Sequence, residues 1–330
     1  MTAGVVQTGR DARWLAVALG LSERARGRTG ANPNVGCVIV REDRVIGRGW
    51  TQPGGRPHAE AMALSAAGVR ARGATAYVSL EPCAHGSPRG PCCAGSLIAA
   101  GVARVVAAVT DPDPRTAGKG FAALEAAGIT VLRDAACDAA RTAMGGFFRR
   151  QNAGRPFVTL KLATSLDGQI AMADGQSRWI TGEAARAHAH LERARSDAIL
   201  VGRGTAEIDQ PTLDVRLDGL ADRSPQRFML GSGPAPRGFS ALRAPDDIGT
   251  MEGNWLLVEG GAETAASFLR AALVDRLVLY RAPILIGRGK ACLGDIGLAG
   301  LAQAHDVWRL SDARTLGKDR LEVYERVAQV

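Results

Sequence analysis

The first half of the chain alternates short runs of β-branched apolar residues with apolar positions at helical spacing, which predicts a layered α/β domain. After a first helix around Trp14–Leu21, strands are predicted at 35–40, 45–50, 74–80 and 103–109, with one more short strand after Gly128. Two further helices are predicted at 58–72 and 92–101. Polar motifs stand at the start of both helices, so we expect their N-termini to converge.

A basic stretch that contains glycine and proline, residues 147–156, predicts a domain junction. Beyond it, strands are predicted at 157–163, 198–201, 227–230, 255–259 and 275–281, and helices at 183–195 and 264–273. This alternation predicts a second α/β domain. We therefore predict two domains, residues 1–150 and 151–330, in line with the usual length of about 150 residues per domain.

Composition narrows the class of partner. The 41 basic and 33 acidic residues give a net charge of +8, spread along the chain without a Lys/Arg block or an aromatic stripe. This favours a small phosphorylated substrate over nucleic acid. The six cysteines lack the paired spacing of a disulfide framework, which predicts that the protein is located in a reducing cytoplasm. The apolar run 14–21 is followed by charged residues and not by a cleavage site, so it predicts a helix rather than a signal peptide. No stretch reaches the roughly 18 apolar residues of a membrane span.

Candidate catalytic chemistry in the first half is concentrated in His58-Ala59-Glu60 and Glu81-Pro82-Cys83, followed by Cys92. A catalytic zinc takes three protein ligands and keeps the fourth position for water, whose pKa falls to about 7. His58, Cys83 and Cys92 would supply the three ligands, and a zinc-bound hydroxide would attack a carbon that bears an amino group. Glu60 would carry protons from the water to the ring nitrogen and the departing ammonia. H-x-E with P-C-x-x-C is typical of zinc deaminases, but here eight residues separate the cysteines.

The longer loop between the cysteines leaves alternatives open. Its His85 and Arg89 are suited to hold a phosphate group. A closed structural zinc site completed by His85 or Cys93 is the alternative, although such a site has no use for Glu60. Cys93 also leaves open which thiolate binds the metal, while Pro91 favours Cys92 as the start of the following helix.

Two glycine-containing turns of the second half are suited to bind phosphate. One is Glu259-Gly260-Gly261-Ala262-Glu263-Thr264, between a strand and a helix, and the other is Gly202-Arg203-Gly204-Thr205. Either could be a tight turn that binds nothing, but two such turns in one sheet favour binding of a dinucleotide. The Rossmann fingerprint itself is missing.

Further charged residues of the second half admit two interpretations. Lys161 and Asp167 stand at the end of an apolar strand, where α/β sheets place ligands, yet they could be a solvated pair. Arg193 and Arg216 are either surface charges or phosphate contacts. His188 and His190, two apart on a helix, make a poor metal pair.

Several motifs together resemble the RibD family of bifunctional riboflavin-biosynthesis enzymes, in which a pyrimidine deaminase is fused to an NADPH-dependent reductase. The resemblance runs from about residue 12 to the end. In the deaminase half it is carried by Asn32–Gly36, His58–Glu60, Glu81–His85 with Cys92, and Asp111–Pro114. In the reductase half it is carried by Lys161–Gly168, Ser177–Thr181, Gly204-Thr205 with Asp209, Pro211, Leu213 and Arg216, and Val258–Gly261.

The resemblance implies a cytidine-deaminase-like α/β/α layered domain followed by a dihydrofolate-reductase-like α/β domain. It implies one zinc ion, and substrate contacts in the deaminase from Asn32 and Asp113. Arg89 is the candidate phosphate contact in place of the basic residue that many relatives carry in this loop. For the reductase it implies NADPH contacts from Ala163, Trp179, Thr205, Asp209, Ser232 and the Gly261–Ser267 turn with Ala262, Glu263 and Thr264. It implies substrate contacts there from Ser177, Arg193, Leu213, Arg216 and Glu259. Lys161, at the end of its strand, is a further candidate for substrate binding.

The expected reactions are deamination of a diaminopyrimidine ribose phosphate, then reduction of its ribosyl group to ribityl. The sequence departs from the family at Gly86–Pro91, and only about two dozen residues separate Leu230 from Trp255. A deaminase with a decayed reductase half, a nucleic-acid or tRNA deaminase, and a zinc-stabilised scaffold are the alternatives. The nucleic-acid alternative would need aromatic residues near the zinc motif. The chain has 15 aromatic residues, and they form no cluster beside that motif. We expect a homo-oligomer.

Overall fold

The computed structural model describes residues 8–86 and 90–327. The chain divides into two compact units, residues 1–154 and 155–330. The predicted junction stretch is helical as far as Ala153, so the division lies four residues beyond the predicted boundary. In the described ranges, no helix has both the length and the apolar character needed to cross a membrane.

The first unit is built on a five-stranded sheet with the strand order β2-β1-β3-β4-β5. β1 pairs antiparallel with both β2 and β3, whereas β3, β4 and β5 run parallel. The strands are β1 Gly36–Arg41, β2 Arg44–Trp50, β3 Thr75–Val78, β4 Arg104–Ala107 and β5 Thr130–Leu132. The helices are α1 Gly9–Ser22, α2 Ala59–Ala67, α3 Cys93–Ala100, α4 Lys119–Ala126, α5 Cys137–Ala143 and α6 Gly145–Ala153.

Close packing of α2 on β2 sets the position of the first predicted motif. A Cβ atom at Gly49 would clash with the carbonyl oxygen of Ala59, so only glycine lets the first turn of α2 approach the strand this closely. The α-helix ends at Ala67, earlier than predicted, because Gly68 adopts a positive φ of 54° and a short 3-10 turn follows to Ala71. This packing holds His58 and Glu60 against the sheet.

A buried ion pair joins α1 to the sheet. Asp11 is fully buried and accepts hydrogen bonds from both terminal nitrogens of Arg104, at 2.6 and 3.0 Å, and from the Tyr77 hydroxyl at 3.1 Å. Burial opposes ionisation of Asp11, but Arg104 and the Thr8 cap hold the pKa of this carboxyl well below its usual range. The pair therefore stabilises the unit only while Asp11 is ionised.

The second unit is built on an eight-stranded sheet with the order β10-β9-β8-β11-β6-β12-β15-β14. The six strands from β10 to β12 run parallel, and β15 and β14 extend the sheet antiparallel. The strands are β6 Phe157–Thr164, β7 Gln169–Met172, β8 Ala198–Gly202, β9 Gln226–Leu230, β10 Ser240–Leu242, β11 Trp255–Val258, β12 Arg276–Arg281, β13 Gly289–Ala291, β14 Trp308–Leu316 and β15 Asp319–Arg326. The helices are α7 Glu183–Ala194 and α8 Ala262–Arg270, and β13 pairs with β7 in a separate ribbon.

Parallel strands with fully buried residues form the centre of this sheet, as their apolar runs predict. All five residues of β8 and all four of β11 are buried. The shortened interval between Leu230 and Trp255 holds β10 and a 3-10 helix at 245–250. Because β6, β8, β9 and β11 run parallel, the turns that follow them lie at the same edge of the sheet, the carboxyl edge.

Candidate active sites

The first unit contains a cavity of about 330 Å³, within the size range of small-molecule sites. It brings together both halves of the predicted zinc motif and the Asp111–Pro114 motif. Its walls are formed by Ala31, Asn32, Pro33, Val35, Thr51, Arg56, His58, Glu60, Leu80, Glu81, Cys83, His85, Gly86, Asp111, Asp113, Arg115, Phe147 and Gln151.

A set of metal donors lies at this cavity, where α2 and α3 begin. His58 is the N-cap of α2, and its Nδ1 atom lies 3.2 Å from the Cys93 sulfur and 3.6 Å from the Cys83 sulfur. The three donor atoms lie within 4.8 Å of one another. Tetrahedral zinc with its usual bond lengths would separate a nitrogen from a sulfur ligand by about 3.6 Å, so the donor set fits zinc.

The third donor of this group is Cys93, whereas the spacing predicted Cys92. α3 begins at Cys93, and Cys92 is its N-cap residue rather than its first helical residue. The Cys92 sulfur lies 3.1 Å from the place that a Cβ on Gly95 would occupy, over the first turn of the helix. Cys93 is buried and its backbone N–H donates to the Cys83 sulfur at 3.3 Å. The structure thus groups Cys93, rather than Cys92, with His58 and Cys83.

Glu60 is buried at the cavity, on the first turn of α2, with 3% of its surface exposed. Burial raises its pKa above the usual range, and the thiolate of Cys83 adds to this, although His58 opposes the shift. The pKa of Cys83 is lowered by hydrogen bonds from Cys93 and His58, while that of Cys93 is raised by its bond to Cys83 and by burial. A carboxyl with a raised pKa is suited to both accept and donate a proton near neutral pH.

Glu81, in the Glu81-Pro82-Cys83 motif, has a structural role. Its carboxylate accepts four backbone N–H groups, from Asp111 at 3.2 Å, Gly118 at 3.0 Å, Gly120 at 3.0 Å and Phe121 at 3.3 Å. It therefore holds the Asp111–Pro114 loop and the start of α4 against the loop that carries Cys83. In the same place, burial raises the pKa of Asp111 to about 7.

Two of the three predicted deaminase contacts line the cavity. Asn32 and Asp113 do so, whereas Arg89 lies outside the described residues. Asp113 accepts a two-pronged ion pair from Arg115, which lowers its pKa. Arg56 and Arg115 also line the cavity, and neither was predicted from the sequence. Their positions could have indicated them, since Arg56 stands two residues before His58 and Arg115 two residues after Asp113.

The second unit contains a cavity of about 260 Å³ with a strongly basic wall. It is lined by Lys161, Ala163, Ile170, Ser177, Arg178, Trp179, Ile180, Thr181, Arg186, Ala189, His190, Arg193 and Arg216. Five lysine or arginine side chains around so small a space indicate a ligand with concentrated negative charge, such as a phosphate monoester.

Glu259 lies behind this wall as a buried counter-charge. Arg193 donates to both of its oxygens, at 2.7 and 2.9 Å, and the Lys161 ammonium lies 3.5 Å away. Burial alone would raise the pKa of Glu259, but Lys161 and Arg193 outweigh it and lower the pKa to about 2. The ionised carboxylate thus fixes the two cations that face the cavity.

Most of the predicted cofactor residues lie in the turns after β8, β9 and β11, at the carboxyl edge of the sheet. Ala163 and Trp179 line the cavity. Thr205–Asp209 form a π-helical turn after β8, Ser232 follows β9, and Gly261 is the N-cap of α8. A Cβ at Gly260 would clash with Thr264, so this glycine allows α8 to start close to the end of β11. Because neighbouring parallel strands end at the same edge, these turns are placed where α/β sheets bind nucleotides.

Other predicted residues have more limited roles or were missed. The Leu213 side chain packs in the core with Ile199 and Met229, which leaves only its backbone available to a ligand. Arg186 and His190 line the cavity but were not predicted. With Arg193 they follow the i, i+4, i+7 spacing of one helical face, which was the available signal.

Both halves of the chain are similar to known protein families. Residues 8–109 match the family profile described as cytidine and deoxycytidylate deaminase zinc-binding region, and residues 156–244 and 240–321 match the RibD C-terminal domain. Riboflavin biosynthesis protein RibD of Escherichia coli is 38% identical over 94% of this chain and 98% of its own length. The RibD protein of Aquifex aeolicus is 34% identical over 96% and 98%. The chain belongs to the RibD family.

Solved structures agree with this assignment. Acinetobacter baumannii RibD in its form 1 has a TM-score of 0.84 and 35% identity, covering 97% of this chain and 99% of that one. A Thermotoga maritima diaminohydroxyphosphoribosylaminopyrimidine deaminase/5-amino-6-(5-phosphoribosylamino)uracil reductase has a TM-score of 0.86 and 27% identity, covering 96% and 99%. The predicted fold class is confirmed, and the chain is a bifunctional deaminase and reductase of riboflavin biosynthesis.

Proposed function

We propose that the two units carry out two consecutive reactions on one phosphorylated pyrimidine. The first unit would hydrolyse the amine of 2,5-diamino-6-ribosylamino-4(3H)-pyrimidinone 5′-phosphate, consuming water and releasing ammonia. The second would reduce the ribosyl group of 5-amino-6-(5-phosphoribosylamino)uracil to ribityl with NADPH. The observation that carries the proposal is a buried carboxyl beside a His/Cys/Cys donor set in one unit and a cluster of cations around Glu259 in the other.

In the deaminase, we propose that zinc is held by His58, Cys83 and one thiolate from the start of α3. The structure supports Cys93 for that thiolate, and the spacing along the chain supports Cys92. Zinc bound there would lower the pKa of water so that hydroxide is available near neutral pH. Glu60 has no ligand role in this proposal, because its carboxyl is the proton carrier.

Glu60 would move protons in both halves of the deamination. It would accept one proton from the attacking water and pass it to the pyrimidine ring nitrogen. It would then accept a second from the hydroxyl now on the carbon, which becomes the carbonyl, and donate it to the amino group that leaves as ammonia. Burial, which raises its pKa, supports this role because the protonated form must be accessible. Asn32 and Asp113 would orient the pyrimidine, and Arg56 or Arg115, which line the same cavity, would hold the phosphate. Arg89 is a further phosphate candidate from the sequence alone.

In the reductase, the basic cavity would hold the ribose phosphate. Arg193 and Arg216 would bind the phosphate, Ser177 and Lys161 the sugar, and Glu259 would fix Lys161 and Arg193. Leu213 would contribute through its backbone. The fit of NADPH is supported by the glycine-containing turns that meet at the carboxyl edge.

NADPH would be held by Ala163, Trp179, Thr205, Asp209, Ser232 and the turn Gly261, Ala262, Glu263 and Thr264. When bound, it supplies the hydride for C1′ of the opened sugar. Lys161 or Asp209 would supply the proton that completes the reduction. Lys161 is the better placed of the two because it lines the substrate cavity.

The test is a coupled assay on zinc-loaded protein, with ammonia release and NADPH absorbance followed separately. Wild type should release ammonia from the diaminopyrimidine and consume NADPH with the deaminated intermediate. Glu60→Gln should lose ammonia release by at least about 100-fold, in line with general acid–base catalysis, and keep NADPH consumption. Glu259→Gln should show the opposite pattern. Ammonia release without NADPH oxidation in wild type would refute the reductase half, and loss of both activities in either variant would refute two independent sites.

A further inference from the structure

An irregular segment supplies Arg216 to the basic cavity of the second unit. Residues 210–216 form neither helix nor strand, and Gln210 and Leu213 have positive φ angles of 39° and 53°. Side chains bond the backbone of this segment. Arg227 donates to the Thr212 carbonyl at 3.3 Å, and the Ser224 hydroxyl accepts from the Val215 N–H at 3.0 Å. The position of the segment therefore depends on side chains that reach it from neighbouring elements.

One face of α7 holds the end of this segment. Arg193 donates to the Asp214 carbonyl at 3.0 Å, in addition to its pair with Glu259. One turn earlier, the Nδ1 atom of His190 lies 3.1 Å from the same carbonyl oxygen and 3.2 Å from the backbone nitrogen of Arg216. The Arg216 guanidinium is exposed and lines the cavity, and its Nε atom lies 3.6 Å from a carboxylate oxygen of Asp214. Both side chains belong to the 214–216 segment that His190 contacts, so the backbone of this segment places them together.

The contact of His190 with this segment holds in either neutral form of the ring. With a proton on Nδ1 the ring donates to Asp214, and without one it accepts from the N–H of Arg216. The second form satisfies more groups, because the Asp214 carbonyl already has Arg193 as a donor. Burial and the charges of Arg193 and Arg216 lower the pKa of His190, which keeps the ring neutral beside two cations.

We propose that His190 is a positioning residue of the reductase, which holds the 214–216 backbone so that Arg216 faces the substrate phosphate. This inference rests on the substrate site proposed above, in which Arg216 binds phosphate. His190 itself lines the cavity, but its Nδ1 atom is committed to the segment. Its effect on the reaction should pass through Arg216 and should appear in substrate binding rather than in hydride transfer.

The test measures reductase KM and kcat with 5-amino-6-(5-phosphoribosylamino)uracil in the full-length protein. His190→Ala should raise KM about fivefold, the equilibrium effect of one net hydrogen bond, with kcat unchanged. His190→Asn should stay within about twofold of wild type, since its amide can bond the segment from the position of Nδ1. His190→Gln, which places its amide nearer the position of Nε2, should behave like the alanine variant.

Two comparisons separate this inference from the site on which it rests. In a double-mutant cycle, His190→Ala should add no further rise in KM to Arg216→Ala. His188→Ala is the matched control, because His188 lies on the same helix and bonds the Tyr280 hydroxyl instead. If Arg216→Ala raises KM but His190→Ala does not, or if the two effects multiply, the positioning role is refuted while the site stands. If Arg216→Ala leaves KM unchanged, the proposed site falls, and the inference with it.

Discussion

Replacement of Glu259 by glutamine tests the charge arrangement of the reductase unit most directly. The side chain is 8% exposed, and its pKa falls from 4.5 to about 2 because Lys161 and Arg193 outweigh the effect of burial. The lower pKa of the folded state corresponds to about 3 kcal/mol of stability at neutral pH. Glutamine keeps an oxygen acceptor but loses the charge, so we expect a loss of about 2–3 kcal/mol.

Amide hydrogen exchange of β6 and β11 in the full-length protein measures this loss within the second unit. Exchange in Glu259→Gln should be faster by about 30- to 150-fold. The folded pKa is depressed, so the stabilisation is complete above the unfolded pKa of 4.5 and is lost as the pH falls toward 2. Wild type should therefore lose this protection between about pH 5 and pH 2, and the variant should not.

The matched control is Glu252→Gln, which removes an exposed carboxylate of the same unit. It should change exchange in β6 and β11 by less than about twofold. An equal effect of the two variants would show that loss of any negative charge from this unit is enough to speed exchange in β6 and β11. A change below threefold in Glu259→Gln would refute the argument that Glu259 stabilises the cations of the cavity.

Four further predictions concern the first unit. Cys93→Ser should reduce bound zinc, measured by atomic absorption, from one equivalent to near zero while Cys92→Ser retains it; the reverse result would make Cys92 the ligand. Gly49→Ala should displace the start of α2 and abolish zinc binding and ammonia release, with the NADPH-dependent activity as internal control; unchanged zinc content would contradict the packing argument. Asp11→Asn should destabilise this unit by about 2–3 kcal/mol in urea unfolding, because it leaves Arg104 without its buried partner, and a loss below 0.5 kcal/mol would contradict that. The same pair should weaken in wild type as the pH falls below about 4, since the folded pKa of Asp11 is depressed.

The strand and helix patterns of the sequence were sufficient for most of the elements around both sites. The apolar runs at 35–40 and 255–259 correspond to β1 and β11, and the helical pattern at 183–195 corresponds to α7. Such runs are local signals, because burial on both faces of a strand or one face of a helix imposes its own period. The β14–β15 hairpin was not predicted. Five of the nine residues of β14 are exposed, whereas β15 alternates buried and less buried positions, a strand signal that was missed.

Ligand chemistry was also determined locally, because His58, Glu60 and Cys83 are of residue types that zinc and proton transfer require. What the tertiary structure decided was which neighbouring group completes each arrangement. The choice between Cys92 and Cys93 depends on where α3 begins, since adjacent residues at a helix start point in different directions. The four backbone N–H groups on Glu81 come from residues at least 30 positions away. No local pattern contains such a contact.

The reductase cavity shows the same division. Arg186, His190 and Arg193 share a helical face that can be read from their spacing, but the spacing does not say what that face meets. Only the folded sheet brings Glu259 from the end of β11 and Lys161 from β6 to Arg193, because β11 and β6 are parallel neighbours. The sequence by itself therefore determined the elements and the chemical types of the site residues. Tertiary structure decided their partners, because burial and charge pairing depend on strands that are distant along the chain.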